Sequence, residues 1–216
     1  SLPMEWSPIF EQFYFAARVE QSGLRHLVGS YDPRTKQIRH ADVPENIVKV
    51  LTPARSSRLV AIGASIHTID RTTMTGLATL GRLEPPIDRQ IASVPTSITM
   101  CNDGSELVVY RAGENRIYFV DMNTLNLRDS TLMPDVFSAH HSGRDHVVLK
   151  MAPDDSHVAI CGARIAIVER KNRQIELEVR ATSSANDMDL SGCEFSPSGN
   201  RFALLHRDKV RIFERK

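Results

Sequence analysis

Short apolar runs alternate along the chain with short polar ones, and the polar ones are built from turn residues. From Met100 the order is a strand end, a polar turn of Asn102, Asp103, Gly104 and Ser105, and then Leu107-Val108-Val109. From Met151 the order repeats, with Pro153, Asp154, Asp155 and Ser156 ahead of Val158-Ala159-Ile160. It repeats again from Phe195, where Ser196, Pro197, Ser198 and Gly199 precede Phe202-Ala203-Leu204. Asp and Ser bond back to nearby backbone and Gly accepts positive φ, so each segment predicts strand, tight turn, strand. Two further copies are Trp6-Ser7-Pro8 before Phe13-Tyr14-Phe15-Ala16, and Leu51-Thr52-Pro53 before Leu59-Val60-Ala61-Ile62.

The anchors Trp6, Leu51, Met100, Met151 and Phe195 recur about every 45 to 50 residues, a period that signals a repeat architecture. After each of the last four apolar runs comes an alternating strand that ends on an acid: Ser65 to Asp70, Arg116 to Asp121, Arg164 to Glu169, Lys209 to Glu214. Gly63-Ala64 and Gly162-Ala163 suit tight hairpins with Gly in the first central position. Lys171-Asn172-Arg173 then leads to a further strand, Gln174 to Val179. Each unit is thus an antiparallel meander, and the fold class is all-β. The blade-sized units fall at about 2–44, 45–83, 94–133, 145–182 and 190–216, in a single domain over 1–216.

This pattern resembles the WD40 and WD40-like β-propeller repeats over nearly the whole chain. The resemblance implies a propeller of about five four-stranded blades. The chain departs from the WD40 pattern in having no Trp-Asp dipeptide, where Val120-Asp121 and Phe213-Glu214 stand instead, and in lacking a regular Gly-His. It reads as a divergent member. The last unit stops after its third strand, which predicts a fragment of a larger propeller, a strand or blade donated by a partner or second copy, or imperfect closure. A propeller also places the long connections between units, such as Glu84 to Arg89 and Met133 to Phe137, on one face, where rigid scaffolds often carry recognition.

Composition narrows the class little. The 216 residues are 41% hydrophobic and 25% charged with net charge +1, so no whole-molecule field favours nucleic acid or a membrane surface. No apolar run is long enough to span a bilayer, and membrane insertion is not expected. Cys101, Cys161 and Cys193 are odd in number, widely spaced and set among apolar residues. They read as small core residues without a disulfide framework, and point to an intracellular compartment, cytoplasmic or nuclear.

No phosphate loop, dinucleotide fingerprint, Gly-x-Ser-x-Gly elbow or His-Glu-x-x-His motif occurs. His140, His141, Arg144, Asp145 and His146 could form a metal or phosphate site, since imidazoles and a carboxylate can ligate a cation, but they match no zinc spacing and read as a polar loop. Trp6 aligns with Phe195 and reads as a core anchor. The last unit is rich in Lys and Arg, as an edge strand protected against aggregation would be.

These readings converge on a non-catalytic scaffold that binds other proteins within a multi-subunit assembly, with no catalytic residue, cofactor or metal. The candidate interaction residues are Ile87, Val136, Phe137, His140, His141, Lys209, Arg211 and Arg215. The alternatives are a propeller enzyme with a site in its central channel, and an RNA-associated subunit that uses the basic last unit.

Overall fold

The computed structural model of the chain describes residues 4–7, 9–20, 23–79, 96–111, 114–124, 126–133, 147–162, 164–180, 190–206 and 209–214. They form five antiparallel sheets, each a meander in chain order. Sheet 1 holds β1 (Met4–Ser7), β2 (Gln12–Glu20), β3 (Leu24–Asp32) and β4 (Gln37–Val43). Sheet 2 holds β5 (Lys49–Leu51), β6 (Arg58–Ile62), β7 (Ile66–Asp70) and β8 (Gly76–Thr79). Sheet 3 holds β9 (Thr96–Met100), β10 (Glu106–Arg111), β11 (Arg116–Asp121) and β12 (Leu127–Leu132). Sheet 4 holds β13 (Val148–Met151), β14 (His157–Cys161), β15 (Arg164–Glu169) and β16 (Ile175–Arg180). Sheet 5 holds β17 (Leu190–Phe195), β18 (Arg201–His206) and β19 (Lys209–Glu214).

The chain divides into two compact units, Ser1–Ile87 with Asn123–Leu125, and Asp88–Met122 with Asn126–Lys216. The first carries sheets 1 and 2. Their facing sides interleave Tyr14, Ala16, Val28, Ala41 and Val43 with Val50, Leu59, Ala61 and Ile69 in one apolar core. The second carries sheets 3, 4 and 5. Val108, Tyr110, Ile117 and Phe119 of sheet 3 meet Leu149, Val158, Ile160, Ala166 and Val168 of sheet 4. Ala159, Cys161, Ile165 and Ile167 on the other side of sheet 4 meet Cys193, Phe195, Phe202 and Leu204 of sheet 5. Alternate residues of β14 and β15 therefore serve two cores, which is why these strands are apolar almost throughout.

The turn chemistry repeats with the sheets. Gly104, Asp155 and Gly199 take positive φ at one place in the turn, and each donates its backbone N–H three residues back, to Cys101, Ala152 and Ser196. The acidic strand ends also have a reason. The Asp32 carboxylate accepts the backbone N–H groups of Arg34 and Thr35, and Asp70 accepts those of Thr72 and Thr73, so each acid caps the turn that follows it. The turns end in left-handed residues at Lys36, Met74 and Arg173, each four places after its acid.

Three expectations are corrected. Trp6 is 42% exposed and stacks on Phe13 at 4.6 Å. The equivalent anchors Met151 and Phe195 pack toward the preceding sheet, together with their strand partners Val158 and Phe202, and Leu51 is buried opposite Val60. Sheet 1 has no sheet before it in its unit. Gly63 does not sit in a two-residue loop at positive φ: Ile62 pairs with Ile66 around three residues, closed by the Gly63 N–H to the Ser65 carbonyl. Its lack of a side chain serves close approach, since a Cβ there would lie 2.5 Å from the carbonyl oxygen of Asn46.

The third correction concerns the cysteines. Cys161 at the end of β14 and Cys193 in β17 form a disulfide, with Cα atoms 6.8 Å apart and a sequence separation of 32. Wide spacing is what joins consecutive sheets, because both residues lie on the facing sides of sheets 4 and 5. Closing a loop of that length contributes about 4 kcal/mol in the chain-entropy account. A disulfide belongs with an oxidising setting, which removes the cysteine argument for a reducing compartment. Cys101 is free and fully buried, and burial pushes its thiol up, away from reactivity. Among the described residues no helix is long and apolar enough to cross a membrane.

Candidate functional site

In the first unit a carboxylate, an imidazole and a hydroxyl line up. Glu45 lies in the connection from β4 to β5, His67 is the second residue of β7, and Thr79 closes β8. Glu45 reaches the β6–β7 hairpin, where Oε1 accepts the Ser65 N–H at 2.7 Å and Oε2 the Ala64 N–H at 2.9 Å. The approach depends on Gly63, whose missing side chain makes room for Glu45 and Asn46. Thr79 is placed opposite His67 by the β7–β8 register, which shifts between Thr68 and Ile69.

The geometry fixes proton positions. Burial alone would raise the Glu45 carboxyl, but hydrogen bonds from His67, Ser65 and Ala64 outweigh it and hold it below the usual glutamate range. Glu45 is therefore an ionised acceptor. His67 Nε2, 2.8 Å from Glu45 Oε1, must carry the proton it donates. Nδ1 lies 3.0 Å from Thr79 Oγ1, where a neutral ring presents it as the acceptor. The imidazole is 4% exposed, whereas Thr79 is exposed, so the hydroxyl is the solvent-facing end of a buried relay. A carboxylate that orients an imidazole against a hydroxyl is the arrangement by which acyl-transfer enzymes raise the nucleophilicity of an alcohol.

A second such line lies in the second unit and does not have the same capacity. His157 Nε2 is 2.8 Å from Glu176, and Nδ1 is 2.7 Å from Ser156 Oγ. Ser156 already donates to Asp154 Oδ1 at 2.5 Å, so its proton is committed to a carboxylate rather than to the imidazole.

Opposite charges also concentrate in the second unit. Glu106 is fully buried, with Arg170 Nε 2.9 Å from Oε2 and Arg173 Nη2 2.7 Å from Oε1. Burial alone would lower Arg170, but Glu106 foremost raises it above the ordinary arginine range. Asp155 accepts the Asn102 and Asp103 N–H groups and the Asn102 amide, tying the first turn of sheet 4 to that of sheet 3. These groups satisfy one another and are structural.

Of the residues singled out in the sequence, Ile87, Val136, Phe137, His140, His141 and Arg215 lie outside the described residues. Lys209 and Arg211 lie on β19, the outer strand of sheet 5, with Arg211 exposed. The nearby charges are partly paired, Arg201 with Glu214 at 2.9 Å. None of the residues singled out belongs to the relay. His67 entered the sequence reading only as one polar position in an alternating strand; its burial at a place held by Ala166 in sheet 4 and Tyr118 in sheet 3 is the signal that could have marked it.

Neither a protein-family model nor a curated protein sequence matches the chain. A solved structure does: a Bacteroides uniformis protein provisionally assigned as a 6-phosphogluconolactonase, with TM-score 0.59 and 13% identity over 98% of this chain. The fold is propeller-like and all-β. This chain spans 66% of that protein, a little under two thirds of its length. The expectation of a non-catalytic scaffold is corrected by this finding. It rested on reading blade-sized repeats as the mark of a binding module, and the same architecture belongs to a protein assigned as an enzyme.

Proposed function

We propose that the chain is a propeller hydrolase that opens lactones, with its sheets as successive blades of a divergent WD40-like propeller and Thr79, His67 and Glu45 as its catalytic groups. The hydrogen-bonded line from Glu45 through His67 to the exposed Thr79 hydroxyl carries this reading. The fold shared with a protein assigned as a 6-phosphogluconolactonase supports the substrate class.

His67 Nδ1 takes the Thr79 hydroxyl proton as Oγ1 adds to the lactone carbonyl carbon. The ring C–O bond then breaks, and the departing alkoxide receives that proton from the imidazolium. Water, deprotonated by the same nitrogen, adds to the acyl carbon; the bond from that carbon to Thr79 Oγ1 breaks, Oγ1 takes the proton back from the imidazolium, and the hydroxy acid leaves. One water is consumed and every group of the protein is restored. Glu45 stabilises the imidazolium and fixes its tautomer throughout.

Initial rates on 6-phosphogluconolactone test the two inner groups. His67→Gln is expected to lower the rate about 10²- to 10⁴-fold, the usual worth of a positioned base. Glu45→Gln keeps one acceptor oxygen, for the Ser65 N–H, but sets an NH2 group toward the Ala64 N–H and loses the charge, and is expected to fall in the same direction with the fold retained by circular dichroism. Unchanged rates in both variants would refute the relay.

A further inference from the structure

Arg71, one residue beyond β7, is buried without the partner its position calls for. Its side chain is 4% exposed. Nη2 donates to the Pro53 carbonyl at 2.8 Å and the Arg58 carbonyl at 3.4 Å, while Nε and Nη1 have no hydrogen-bond partner among the described residues. A buried guanidinium with two unmet donor groups is costly, by several kcal/mol in typical cases.

The repeat supplies the comparison. Arg71 follows Asp70 as Arg170 follows Glu169, and the two backbone N–H groups donate to Ser57 and Ser156, each at 2.8 Å. Arg170 Nε is met by Glu106, the first residue of β10, from the sheet before its own. The corresponding place in sheet 1 is Gln12, the first residue of β2, whose neighbour Phe13 pairs with Tyr31 as Leu107 pairs with Val120. Gln12 is neutral, and its Oε1 accepts from the Tyr14 hydroxyl at 3.1 Å. The nearby carboxylate of Glu5 is committed through Oε1 to Thr52 at 2.6 Å. So the position that holds an internal carboxylate in the second unit holds none in the first.

We propose that Arg71 is a binding residue for an oxyanion, a carboxylate or phosphate group of a ligand, which takes the place Glu106 fills for Arg170. The access route is the turn Ile9–Phe10–Glu11. The Phe10 ring lies over the guanidinium at 4.1 Å and is itself 38% exposed, so rotation of one surface side chain uncovers the site. Tyr14, whose ring centroid is 5.6 Å away, forms its floor. Arg71 lies four positions beyond His67, about 13 Å at the rise of an extended chain, so this site is distinct from the relay and does not depend on the proposed hydrolysis.

Thermal unfolding of the full chain in inorganic phosphate, in acetate and in chloride of equal ionic strength tests the assignment. Phosphate at saturation is expected to raise the Tm of the wild type by about 4 °C or more above chloride. A response to phosphate alone assigns a phosphate ligand; a response to acetate as well assigns the shared carboxylate chemistry. Gln12→Glu, which supplies the missing carboxylate from within, is expected to raise the Tm in chloride and abolish the anion response. Arg71→Met is expected to lose the response too. A wild type indifferent to both anions, or a Gln12→Glu variant that responds as the wild type does, would overturn the proposal.

Discussion

Glu106→Ala is expected to be among the most damaging single changes in the second unit, costing about 3 to 5 kcal/mol. The carboxylate is fully buried and is the shared acceptor of Arg170 and Arg173, whose side chains are only 20% and 16% exposed. Removing it leaves two largely desolvated cations side by side, both from the turn between β15 and β16, without their shared acceptor. The loss then reflects the abandoned cations more than the strength of the original pairs. Replacing the three groups together by apolar residues of similar volume is therefore expected to recover much of the stability. Urea unfolding followed by circular dichroism measures both. A loss under about 1 kcal/mol, the worth of an exposed ion pair, would mean that water reaches this cluster.

Phe119→Ala is expected to cost about 3 to 5 kcal/mol by the same measurement, for a different reason. The ring is fully buried in the core between sheets 3 and 4. It also carries the Arg173 guanidinium 3.9 Å from its centroid, and Arg173 in turn bonds Glu106. Truncation opens a cavity and removes the platform that holds one arm of the charge cluster. Phe119→Leu refills most of the volume without the aromatic face and is expected to lose much less. A comparable loss for both variants would place the value of the ring in its contact with Arg173 rather than in packing.

The strands were legible because their signals are local. Met100, Met151 and Phe195 end the first strands of their sheets, and the acids at 70, 121, 169 and 214 end strands where the alternation says they should. The turns obeyed their composition, even where Asp155 adopts the positive φ taken by Gly104 and Gly199. What faces what was not legible. Trp6 matched Phe195 in pattern but lacks a preceding sheet in its unit, and Cys161 and Cys193 looked isolated because their partnership exists only between sheets. His67 meets Glu45 across 22 residues and Thr79 across 12, contacts set by a connection's path and a register shift that no short motif encodes. The loss of a carboxylate at Gln12 acquires meaning only once Arg71 is seen facing it.

The most direct measurement on the proposed activity is the initial rate of 6-phosphogluconolactone hydrolysis by the purified chain, beside its Thr79→Ala and Thr79→Ser variants. The expected result is turnover above the spontaneous rate, loss in Thr79→Ala of about 10² or more, and substantial recovery in Thr79→Ser, whose hydroxyl meets His67 in the same place. Hydrolysis no faster than the spontaneous rate, or equal rates in all three proteins, would contradict it.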